Sequence, residues 1–232
     1  MKQIKLIIII FITILSSPSW SETLTIDDLV IRKEIFYQKF TNTPFSGEIS
    51  GIENGKFMDG IKDGLWTTYY KNGQLKFQGK YEVGKPDGIW ETYYENGQLN
   101  EKVRFVNNSM DGRFIKYYPT GQISRSETWN NGSREGTWES FFENGNLKKT
   151  TIYHENQMSG ISKTFFENGG LKKKENFKNG SREGTLETYH ENGQLNYTGT
   201  LKDGERDGLW EWYYENGNLK DSRTYKNGEL VE

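Results

Sequence analysis

Residues suited to catalysis or metal binding are few in this chain, and their spacing argues against both roles. Only two histidines occur, His154 and His190. His154 falls where equivalent stretches carry Glu82, Asn130 or Lys178, and His190 falls where they carry Tyr94 or Tyr214. Neither comes with the Cys, His and carboxylate set of a recognisable zinc site. Cysteine is absent, which removes disulfides, thiolate ligands and cysteine nucleophiles. Carboxylates are plentiful: Glu95, Glu143, Glu167, Glu191 and Glu215 each precede an Asn-Gly pair. As members of successive turns they should stand about 10 Å apart, two strand spacings, in repeating surroundings. Acid–base pairs need a closer or specific separation and unlike environments. The expectation is a protein that is not an enzyme and uses no metal and no cofactor.

The elements that position these residues are repeats. "YYENGQL" at 93–99 returns as "YYKNGQL" at 69–75, "FFENGNL" at 141–147 and "YYENGNL" at 213–219. Gly64, Gly88, Gly112, Gly136, Gly160, Gly184 and Gly208 follow one another at 24 residues without insertion, and so do Gly73, Gly97, Gly121, Gly145, Gly169, Gly193 and Gly217. Within one period "IWETYY" and "LNEKVRFV" are short β-rich runs flanking "ENGQ", whose Asn-Gly predicts a two-residue type I′ turn. The second connection, as in "VGKPDG" or "NGSREG", predicts a wider loop. With a two-residue turn, Tyr94 should face Leu99. Trp90, Thr92, Tyr94, Leu99, Val103 and Phe105 then share one face, and Glu91, Tyr93, Gln98, Lys102 and Arg104 share the other.

The predicted fold is therefore all-β: an elongated antiparallel meander of repeated hairpins in one twisted or curled sheet. Single hairpins are marginal in water, so the units must pair edge to edge. Seven units give fourteen strands, and a sheet about 65–70 Å long. Residues 64–232 hold the seven repeats. Residues 22–63, with "DLVIRKEIFYQKF" and "TNTPFSG", read as an N-terminal cap with a truncated repeat, as terminal units of arrays often are. At the far end, Lys220, Asp221, Arg223 and Lys226 should discourage edge-to-edge pairing.

Residues 1–21 have the layout of an export signal: lysines in "MKQIK", the apolar run "LIIIIFITIL", then small residues at Ser19 and Ser21. Cleavage is expected after Ser21, leaving no stable membrane span and placing the protein in the periplasm or outside the cell. The net charge of −2, without a basic stripe, argues against nucleic-acid partners. The candidate binding residues are one ring per repeat on the polar face: Tyr69, Tyr93, Tyr117, Phe141, Phe165, Tyr189 and Tyr213. Such a ladder suits a protein partner, because Tyr supplies area and a polar tip at low entropic cost. Regularly spaced rings also suit an envelope glycan or peptidoglycan. Equally, the rings could only shield backbone and lysine stems.

The pattern G-x-W-x-x-Y-Y-x-N-G-x-L followed by Y-x-x-G-x-x-D-G resembles the variant MORN (membrane occupation and recognition nexus) repeat of bacteria. With "TPFSG" leading into it, the arrangement over about residues 29–230 is similar to YwqK-type antitoxins. Departures are Ser162 in place of Trp, Thr120 in place of the turn Asn, and missing loop glycines in "NNSMDG" and "HENQMSG". The resemblance implies a non-catalytic hairpin array that recognises a protein, with a toxin or effector as the implied partner.

Overall fold

A computed structural model describes residues 23–231, so the expected leader at 1–21 lies outside the described residues. Apart from one 3-10 turn at Ile26–Asp28, the regular elements are strands. A hairpin of Leu29–Arg32 and Ile35–Gln38 forms a separate two-stranded sheet, tied to the long one by the Phe36 N–H to Gly60 O bond (2.9 Å). From Gly47–Ile49 onwards antiparallel strands pair in chain order as far as Glu229–Leu230, some of them broken by one residue into two segments that pair with the same neighbour, giving the long meander of hairpins that the repeats predict.

The two turn types are the reverse of the expectation. At "ENGQ", the Tyr94 N–H donates to Gln98 O (2.8 Å) and the Gly97 N–H to Tyr94 O (2.9 Å), enclosing three residues. Gly97 is left-handed (φ +83°) but Asn96 is not, so the loop is a turn closed by a glycine bulge. Leu99 consequently pairs with Tyr93, not Tyr94, with the register shift between Thr92 and Tyr93. The two-residue turn lies at the other connection. Glu82 pairs with Lys85 around Val83 (φ +47°) and Gly84 (φ +75°), the signature of type I′. Where glycine is missing, Asn108 and Asn156 take the same left-handed place (both φ +69°), as asparagine tolerates.

A second irregularity seats the tryptophans. Gln78 pairs with Glu91 and Lys80 with Asp87, so Gly79 alone faces Gly88, Ile89 and Trp90. The indole folds over that glycine: a Cβ at residue 79 would lie 2.8 Å from Trp90 Cδ2. Gly55 under Trp66 and Gly199 under Trp210 repeat the arrangement. Trp66, Trp90, Trp138 and Trp210 each donate Nε1–H to the backbone carbonyl ten residues earlier, at 2.9–3.2 Å. Extra residues of this kind bend a strand and raise its twist.

The core is split between the ends. Leu29, Ile49, Phe57 and Trp66 form one buried cluster, completed by Phe36 and Phe45 from the N-terminal segment. Leu186, Leu201, Trp210 and Tyr225 form another. Between them the aromatic face continues through Phe114, Trp138 and Phe177 but is interspersed with buried polar groups, among them Glu127, Thr151, Ser162 and Glu175. Ser162 replaces a tryptophan, and the small Thr151 hydroxyl meets its hydroxyl at 3.1 Å, so neither polar atom is stranded.

Candidate functional site

The seven ladder residues stand one per repeat on the face opposite the tryptophans, and all are half-buried. Tyr93, Tyr189 and Tyr213 donate their hydroxyls to Glu91, Glu187 and Glu211 on the same strand (3.0, 3.2 and 2.9 Å). Glu91 also takes Lys102 (2.7 Å) and Gln78 (2.6 Å). These partners, Lys102 foremost, hold its carboxyl below the usual range. Burial, then the hydrogen bond to Glu91 and its charge, push the Tyr93 phenol up to about 12. Burial leads for Tyr189 as well, whereas the bond to Glu211 leads for Tyr213. Tyr69 borders a shallow hollow of about 650 Å³ with Ile52, Tyr70 and Lys71.

The second ring of each aromatic pair has a different task. The hydroxyls of Tyr70, Tyr94 and Tyr118 donate to the backbone carbonyls of Tyr93, Tyr117 and Phe141 in the next repeat (2.7–2.8 Å). His190 does the same to Tyr213 O through Nε2 (3.0 Å). This histidine, which sequence reading treats as drift, therefore keeps the tyrosine's bond. The turn asparagines Asn72, Asn96, Asn144 and Asn192 also donate Nδ2 to the following repeat (2.7–3.1 Å). On the opposite edge Asp111, Glu135 and Glu183 accept the N–H of Asn131, Glu155 and Asp203 (2.9–3.3 Å). The exposed His154 caps the half-buried Glu135 at 3.0 Å.

These bonds fix the ladder from both edges. The side chains of Glu95, Glu143, Glu167, Glu191 and Glu215 project into solvent at the turns. Among the described residues no three of His, Cys, Asp and Glu come close enough to hold a metal ion.

The tryptophan face brings together residues that the sequence reading did not single out. Cross-strand pairs run Lys116–Arg125–Ser140–Lys149–Thr164–Lys173 in one row. Arg125, Lys149 and Lys173 are one period apart, where other repeats have Phe77, Glu101, Tyr197 and Asp221. That run of three cations was the available signal. Arg125 reaches buried Glu127 (2.9 Å) and Lys173 reaches buried Glu175 (2.8 Å). Arg182 approaches Glu175 too (2.8 Å). Oε1 of each glutamate has a cation beside it but no hydrogen bond of acceptable direction. Burial raises the Glu127 carboxyl, and Arg125 opposes that rise.

Uninterrupted antiparallel hairpins, stapled forward at both edges and carrying one ring per unit, define a β-repeat array built as an extended surface. The chain belongs to the MORN repeat variant family, which matches residues 62–82, 86–107, 110–131, 134–156, 158–179, 182–203 and 206–227. No curated protein matches it in sequence.

Proposed function

We propose that this chain is an exported, non-catalytic scaffold that recognises a protein through the ladder face, with a toxin or effector as the partner class implied by the antitoxin resemblance. The observation that carries the reading is the ladder's rigidity: rings repeat at a fixed period, and three of their hydroxyls are anchored to strand carboxylates. Groups held in place before contact lose less entropy when a partner arrives. Crosslinked capture from the exported fraction tests it, comparing the wild type with the triple variant Tyr93→Ala, Tyr117→Ala and Phe141→Ala. One discrete protein should be captured by the wild type and lost in the variant while the β-sheet circular dichroism persists. Capture undiminished in the variant, or retention on isolated cell wall alone, refutes the reading. Export itself requires an intact mass that begins at Glu22.

A further inference from the structure

The row on the tryptophan face is set apart by what an approaching partner meets first. The anions beside Arg125 and Lys173 are recessed: the Glu127 side chain is 4 % exposed and that of Glu175 9 %, against 47 % for Arg125 and 29 % for Lys173, while Lys116 at the row's end is taken by Glu101 (2.6 Å). Lys149, at the centre, is exposed and has no carboxylate within salt-bridge distance among the described residues. It stands between two hollows. One, of about 140 Å³, includes Arg125, Trp138, Ser140 and Thr151; the other, of about 360 Å³, includes Phe177 and Arg182.

The recessed glutamates pair with Arg125 and Lys173 without covering them, so the row presents accessible cations at two-strand intervals, about 9.6 Å. A polyproline II segment advances about 9.3 Å per three-residue turn. Side chains at every third residue would thus meet successive cations, and the long lysine and arginine stems absorb the sheet's twist. The cations form a line and not a broad patch, which fits an extended chain better than a lipid surface. Opposite charge along that line supplies the attraction and fixes the register.

We propose that Arg125, Lys149 and Lys173 form a docking row for an extended acidic polypeptide segment carrying a carboxylate at every third residue. This rests on the protein-recognition reading but uses the other face of the sheet.

The test is fluorescence anisotropy of the full chain with a labelled (Glu-Pro-Pro)5 peptide and with a peptide of equal composition whose five glutamates are consecutive. The spaced peptide should bind at least tenfold more tightly. Lys149→Glu should weaken it at least tenfold, while Lys163→Glu, on the opposite face, should change it less than twofold. Equal binding of both peptides, an unaffected Lys149→Glu variant, or binding to phosphatidylserine vesicles without binding to peptide overturns the proposal. The two readings fail separately. If the spaced peptide does not bind while ladder-dependent capture persists, only the docking row falls; if capture ignores the ladder, the function reading falls.

Discussion

Gly199→Ala isolates the steric seat of a tryptophan from every other role of glycine. Residue 199 has ordinary backbone angles, so an added methyl introduces no left-handed strain. Its Cβ would overlap the Trp210 indole well inside the 3.0 Å that real Cβ atoms respect. Trp210 is only 1 % exposed and anchors the C-terminal cluster, so the ring has nowhere to yield within the core. Overpacking costs about 1–3 kcal/mol, and complete loss of a buried aromatic about 3–5. We expect about 3 kcal/mol for Gly199→Ala. Gly79→Ala should cost about 1–2 kcal/mol, because its clash at 2.8 Å needs a smaller shift and Trp90 is only half-buried. The assay is urea denaturation followed by tryptophan emission, together with hydrogen exchange over residues 195–226. Emission should shift to the red, and protection should fall in that segment but not around Phe57 and Trp66. Adding Trp210→Leu should restore at least half of the loss, since Leu186 occupies that repeat position without a glycine eleven residues before it. An unchanged midpoint and unshifted emission in Gly199→Ala would refute the seat.

Tyr94→Phe removes only the hydroxyl bond to Tyr117 O and should cost about 1 kcal/mol in urea denaturation, with faster amide exchange across that junction. In alkaline titration followed by ultraviolet absorbance, the Tyr93 phenol should ionise near 12, and Glu91→Gln should lower that value by removing one of its two leading causes after burial. The sign follows from linkage. Folded Tyr93 keeps a proton that the unfolded chain releases near pH 10, so its contribution is full below pH 10 and is lost as pH rises towards 12.

The fold was legible because the 24-residue period fixes strand order, and alternation such as Trp90–Glu91–Thr92–Tyr93 fixes the faces. The turn type was not. Asn96 looks like a type I′ residue in an isolated hairpin, yet its side chain accepts the Gln98 N–H and donates to Pro119 O in the following repeat. The second bond does not exist until two hairpins are adjacent, so no reading of one hairpin contains it. His190 was missed for the same reason, since its partner lies 23 residues ahead. The ladder positions were readable from spacing; their anchoring carboxylates, two residues back along each strand, were readable only once side-chain directions were known. The polar middle was visible as Ser162, but its compensation by Thr151 depends on cross-strand register.

At the two edges of the sheet, most staples between repeats run from a side chain of an earlier unit to the main chain of a later one, with Asn156 reaching backwards to Arg134, whereas the tryptophan indoles on the sheet face run the other way. During synthesis, each new hairpin therefore finds these edge hooks already displayed by its predecessor. Shortening the array is correspondingly asymmetric. At the edges, removing units from the front frees main-chain carbonyls and N–H groups that water readily satisfies, whereas removing them from the back leaves a row of side-chain tethers with nothing to hold.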